Sequence, residues 1–162
     1  VRIIPAMNLK AEKRGDKHSR RRLARLNAVQ AFYQMTMEDR VVGDVVDEFL
    51  EHRVGAEIDD LQFKDTDKTY FKDLVLGTNE RLAQIDEQIG SVLDKERTLD
   101  RLELVLQATL RVAVYELLAR LDADAKVIIS EYVGMTRTFF VNNEPSFVNG
   151  VLDKAQAKLR QK

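Results

Sequence analysis

The stretch LELVLQATLRVAVYELLARL, residues 102–121, decides the fold. Leu102, Val105, Leu106, Thr109, Val112, Ala113 and Leu117 recur at helical spacing and cover a wide arc. An arc that broad predicts the most buried helix of a bundle. Thr98 or Asp100 is placed to cap it, and Asp122-Ala123-Asp124 ends it and starts the next helix. Downstream, Val127, Ile128, Ile129, Tyr132, Val133, Met135, Thr136, Phe139 and Phe140 predict a further helix. The β-branched run Val127–Ile129 is a strand-like signal but too isolated to build a sheet. Asn142-Asn143-Glu144-Pro145 punctuates, with Pro suited to a first helical turn, and Phe147, Val148, Val151, Leu152, Ala155 and Leu159 form the last helix.

Upstream, Leu82, Ile85, Ile89 and Val92 continue a stripe begun by Tyr70, Phe71, Leu74 and Val75, with Gly77-Thr78 as the point of relaxation between them. That run starts near Asp67. Residues 55–65 read as a loop, and Val45, Val46, Phe49 and Leu50 make a short helix ending near Val54-Gly55. Ser19 is placed to cap a first helix from about Arg20 to Met37, with Leu26, Val29 and Tyr33 on one stripe and Ala28 and Phe32 beside it. The expectation is an all-α fold of six or seven helices around one core, with no convincing strand. Residues 1–18 read as a basic tail and residues 19–162 as the helical domain.

Composition narrows the function. The chain has 162 residues, enough for one domain with a real core, 44% of them hydrophobic and 33% charged. No apolar run approaches the ~20 residues of a membrane span. There is no Cys and there are two His, so disulfides, thiolate zinc sites, cysteine nucleophiles and multi-histidine metal sites lack their ligands. No phosphate-binding glycine loop, nucleophile elbow or zinc-binding helix motif is present, and His18 and His52 read as solvated residues. No enzyme and no cofactor is expected. The opening VRIIPAM lacks the apolar core of a secretory signal, which predicts retention in the cytoplasm.

The net charge of −1 hides an asymmetry. Residues 1–25 hold nine Lys and Arg against two Asp and Glu, a net of +7, which leaves −8 for the rest. A basic arm on an acidic body points to a polyanion or an acidic membrane surface, and Leu23 and Leu26 lack the bulky apolar flanks that anchor well in a membrane. In HSRRRLAR (residues 18–25), Arg21 and Arg25 are four apart and Arg22 and Arg25 three apart, so on a helix they share a ridge suited to phosphate oxygens. Arg20 lies beside it. Four arginines in the first turns oppose the helix dipole, which favours a binding role. Phe147 with Asn142, Asn143 and Asn149 could stack on and hydrogen-bond unpaired bases. The same residues also read as a solvated basic face, a core ring and ordinary caps, and both readings stand on the residues alone.

Four blocks add a resemblance. RRLARLNAVQAFYQ (21–34), LRVAVYELL (110–118), VIISEYVGMTRTFF (127–140) and FVNGVLDKA (147–155) together resemble the NusB transcription antitermination factor family, in that family's order, over about residues 19–160. The resemblance implies an all-helical fold of two packed sub-bundles and a non-enzymatic RNA-binding factor. Its expected partners are NusE, which is also a small-subunit ribosomal protein, the single-stranded boxA RNA of ribosomal RNA leaders, and the RNA polymerase antitermination complex. It places Arg21, Arg22 and Arg25 on the family's arginine-rich positions and Phe147 near its RNA face. Leu23 stands where another Arg is common, a contact that Arg20 or the tail would replace, and Ser130 stands where Asn is usual. Two alternatives remain: a self-associating helical protein that buries its first helix in a homodimer, and the accessory domain of an RNA methyltransferase, although residues 1–162 hold no catalytic Cys.

Overall fold

A computed structural model describes residues 17–53, 57–58, 61–62, 66–139 and 144–160. Seven α-helices are present among them: α1 (Lys17–Glu38), α2 (Val42–Glu48), α3 (Lys68–Glu80), α4 (Leu82–Val92), α5 (Leu104–Ala119), α6 (Ala125–Phe139) and α7 (Glu144–Leu159). The expected tail, apart from Lys17 and His18, lies outside the described residues.

α5 is the axis of the fold. It packs on α1 and α3 on one side and on α4, α6 and α7 on the other. Between Leu106 and Leu117 every residue except Arg111 is buried, so the helix has almost no solvent face. Arg111 reaches α4, where Nε and Nη2 donate to the two carboxylate oxygens of Asp86 at 2.8 and 3.0 Å. Helices α1, α2 and α3 form one sub-bundle and α4, α6 and α7 the other, both closed by α5. Leu110, Val112, Leu117, Phe32, Leu74 and Ile128 are all shielded from water, and each such side chain contributes about 1.5–3 kcal/mol.

Several local expectations change. α1 begins at Lys17, so Ser19 lies inside the helix instead of capping it. Asp67 does cap α3, its Oδ1 accepting the Tyr70 N–H at 3.0 Å. The α3–α4 break falls at Arg81, not at Gly77-Thr78. Gly77 serves close approach: a Cβ there would collide with the ring of Tyr115 on α5. Neither Thr98 nor Asp100 caps α5. Leu99–Arg101 forms a separate 3₁₀ turn, and extended backbone at Leu102 and Glu103 precedes α5, with Leu102 tucked into the core. A π-helical turn, Phe49–Arg53, extends the second helix.

Residues 55–65, expected as a loop, hold one short strand pair. β1 (Glu57–Ile58) and β2 (Leu61–Gln62) pair antiparallel, with Glu57 opposite Gln62 and Ile58 opposite Leu61. Two-residue strands are too short to show an alternating pattern, and the fold class is unaffected. The β-branched start of α6 is helical, because Ile128, Ile129, Tyr132 and Val133 bury one helical face. No helix among the described residues is long and apolar enough to cross a membrane.

Candidate nucleic-acid interface

The basic residues of α1 divide into an exposed turn and a buried anchor. Lys17 and Arg20 are exposed, and the Arg20 side chain has no ion pair or hydrogen bond among the described residues. The Arg20 carbonyl accepts the Asp67 N–H at 3.1 Å, which ties this turn to the start of α3. Arg21 donates from Nη2 to Asp122 at 3.0 Å and lies 4.4 Å from the Tyr70 ring centroid. Arg22 makes a two-pronged contact with Glu131 of α6, Nε to Oε2 at 2.8 Å and Nη2 to Oε1 at 3.0 Å. His18 Nε2 lies 2.9 Å from the same carboxylate.

Arg25 departs from the expected ridge. It is 2% exposed and points into the α1–α5 contact, where Nε lies 2.9 Å and Nη2 2.6 Å from the oxygens of Glu116. Glu116 is itself fully buried and also accepts from the hydroxyls of Tyr70 (2.5 Å) and Tyr132 (2.8 Å). The reason is electrostatic. A carboxylate inside a helical core is tolerated only with a countercharge and satisfied lone pairs, and Arg25 and the two phenols supply both. Burial disfavours the Arg25 cation, but the hydrogen bond and charge of Glu116 outweigh it and raise the guanidinium pKa. Burial first, then the Glu116 charge, pushes both phenols up, so they stay protonated as donors. Arg25 is therefore an anchor for α1 and is withdrawn from phosphate contact. The sequence spacing could not reveal this because Glu116 is 91 positions away. The available signal was a lone Glu inside the apolar LRVAVYELL block.

The α7 candidates sit apart from this turn, on a helix packed against α4, α5 and α6. Phe147 is half-buried against the core, and the Arg97 guanidinium lies 4.1 Å from its ring centroid. Asn149 is exposed, its Nδ2 3.5 Å from Asp153, and it lines a groove of about 630 Å³ between α6 and α7. Asn142 and Asn143 lie outside the described residues. A smaller cavity of about 260 Å³ runs between α1 and α6, bordered by Arg22, Leu26, Ser130 and Arg137. Ser130 and Arg137 border both, so α6 is a low ridge between the α1 turn and the α7 groove. No group of His and acidic residues that could hold a metal occurs among the described residues.

A model of the NusB family matches residues 22–157. The chain belongs to the NusB family. It is 41% identical over 142 residues to a transcription antitermination protein NusB of Sphingopyxis alaskensis, covering 88% of this chain and 95% of the relative. A second protein of that name, from Novosphingobium aromaticivorans, is 41% identical over 140 residues, covering 86% and 95%. Among solved structures, T. maritima NusB superposes with a TM-score of 0.70 at 29% identity, over 85% of this chain and 91% of that one. A crystal structure of antitermination factors NusB and NusE in complex with dsRNA shares the fold, with a TM-score of 0.70 at 24% identity over 86% and 98%. The NusB match takes in Arg22, Arg25, Glu116, Phe147 and Asn149 and leaves Lys17, Arg20 and Arg21 just ahead of it.

Proposed function

We propose that this chain is a transcription antitermination subunit that binds the single-stranded boxA RNA of ribosomal RNA leaders together with NusE, as part of an RNA polymerase antitermination complex. One observation carries the RNA-binding role. The first turns of α1 present Lys17 and Arg20 to solvent, with Arg21 and Arg22 at their edge, at the foot of the basic arm of an otherwise acidic chain. Such a cluster attracts phosphates and speeds encounter, and the acidic body turns RNA away elsewhere. Sequence choice needs base contacts, for which Phe147 and Asn149 are the candidates. A base stacking on Phe147 would share its ring with Arg97 or displace it. NusE bound alongside extends the surface, so affinity and selectivity rise together in the heterodimer. A protein that meets nascent RNA acts in the cytoplasm, and nothing in this role needs catalysis.

The alternatives have less support. The apolar residues of α1 are already covered by α3 and α5, which leaves a homodimer through α1 little apolar surface to bury. The relatives covered to 95% of their length carry the antitermination name. The test is binding of a boxA oligonucleotide with and without NusE. The proposal predicts weak, salt-sensitive binding alone and tight, sequence-selective binding with NusE. Equal affinity for boxA and a scrambled RNA in the presence of NusE would overturn it.

A further inference from the structure

Next to the α1 turn lies a second group of charges that the RNA-binding reading does not use. Arg120 follows the last residue of α5, and its Cζ lies 4.4 Å from the Tyr70 ring centroid, the same distance as Arg21. One aromatic ring therefore seats two guanidinium groups at equal distance, one from α1 and one from the end of α5, with Arg25 farther off at 5.7 Å. The ring is fixed in turn by its hydroxyl bond to Glu116. The segment that follows Arg120 is also fixed. Arg160, beyond the end of α7, donates to the carbonyls of Leu117 (2.9 Å), Arg120 (2.9 Å) and Ala123 (2.8 Å). These bonds satisfy carbonyls at the end of α5 and in the turn that leads to α6.

The acceptor between the two arginines is Asp122. It takes Arg21 Nη2 at 3.0 Å and lies 3.4 Å from Arg120 Nη2 and 3.3 Å from Arg120 Nε. Asp122 thus takes one bond of ordinary length from Arg21 and two long contacts from Arg120, whereas Arg22 with Glu131 and Arg111 with Asp86 close both arms of a fork at 2.8 and 3.0 Å. The Asp122 side chain is 53% exposed, so it can swing into water at little cost. The second carboxylate, Asp73, cannot follow. Its Oδ1 holds the Tyr115 hydroxyl at 2.7 Å, and Oδ2 lies 3.5 Å from Arg120 Nη1. With Asp122 turned away, Arg120 keeps only Asp73, and Arg21 keeps no carboxylate among the described residues. The pocket then has a net charge of +1, which one phosphodiester neutralises, and a phosphodiester offers the same pair of acceptor oxygens that Asp122 offers now.

We propose that Arg21 and Arg120 on the Tyr70 ring form a phosphodiester-binding site, which the Asp122 carboxylate occupies in the free protein and RNA takes over on binding. This rests on the RNA-binding reading and adds Arg120 and Asp122 to its residues. Asp122 then weakens every RNA equally, and the balance between free and bound forms depends on how easily it leaves.

The experiment measures boxA oligonucleotide affinity for the full chain, at fixed salt, for wild type, Asp122→Asn, Arg120→Gln and the double variant. Asp47→Asn, an exposed change of the same charge on α2, is the control. Asp122→Asn is expected to tighten binding by about threefold to tenfold, clearly more than Asp47→Asn. Arg120→Gln should weaken binding and remove most of that gain in the double variant. Asp122→Asn binding no tighter than Asp47→Asn overturns the proposal, as does a gain that survives intact without Arg120. A purely structural pair would lower the melting temperature and leave RNA affinity unmoved, so thermal melts accompany each titration. Loss of the inference alone, with wild-type binding still dependent on Arg22, leaves the RNA reading standing. Absence of any wild-type binding to boxA overturns both.

Discussion

Replacing Glu116 by Gln should unfold this protein far more readily than its small change in volume suggests. Oε1 of Glu116 faces Arg25 Nε and the Tyr132 hydroxyl, and Oε2 faces Arg25 Nη2 and the Tyr70 hydroxyl. Whichever way a Gln amide is turned, its NH₂ meets one phenol and one guanidinium N–H. The phenol can rotate to accept, but the guanidinium cannot, because it has donors only. The Arg25 charge, 2% exposed, is then left without its countercharge. Breaking a buried ion pair by removing one partner costs about 3–5 kcal/mol, a large share of the ~5–15 kcal/mol that holds a domain folded. At this chain length the melting temperature should fall by roughly 6–20 °C. Thermal and urea unfolding followed by circular dichroism reads both quantities. Asp86→Asn, which removes a pair nearer the surface, is the comparison and should cost at most about 1 kcal/mol. Removing both charges, with Arg25→Met and Glu116→Leu together, should recover much of the loss. A Glu116→Gln variant no less stable than Asp86→Asn would refute the network's structural role.

Two further outcomes follow from the packing around Tyr115. Gly77→Ala should destabilise by about 1–3 kcal/mol, because the new methyl collides with the Tyr115 ring. Gly90→Ala, where nothing lies within 4 Å, should instead stabilise by about 0.4–1 kcal/mol, so the two melts should move in opposite directions. Alkaline pH should destabilise the fold. The Tyr115 phenol is pushed up to about 12 by burial and then by its bond to Asp73, and Tyr70 and Tyr132 are also raised above the ordinary value of 10.0. A raised phenol favours the neutral folded form, so stability is full below pH 10 and declines from about pH 10 to 12, where the unfolded phenols ionise first. Melts from pH 9 to 11 should show this fall, and Tyr115→Phe should make it shallower; a flat profile would contradict the burial argument.

The fold was legible where apolar residues repeat over many turns. The arc from Leu102 to Leu117 marks α5 as the buried axis, and the structure packs five helices on it. The basic turn of α1 was legible because charge needs no tertiary context to be counted. What depends on distant partners was not. Arg21 and Arg25 share a helical spacing, yet one lies at the surface of the Tyr70 ring and the other in the core, and only the position of Glu116 on α5 separates them. Gly77 reads locally as a weak point in a helix, while its purpose lies in Tyr115 on the facing helix. Arg160 reads as one more terminal cation, and its three carbonyl partners appear only once α7 returns to the end of α5. The β1–β2 pair falls below the length at which alternation can be seen.

The central claim is that the exposed end of α1 grips RNA phosphates while Arg25 holds the helix in place. The most direct measurement is the salt dependence of boxA binding in the NusE heterodimer. It compares wild type with a variant carrying Lys17→Gln and Arg20→Gln, the two exposed cations of that turn. Two lost phosphate contacts on single-stranded RNA should lower the slope of log K against log salt by about 1.4 and weaken binding at low salt. An unchanged slope and affinity would contradict the claim and place the RNA on another face of the protein.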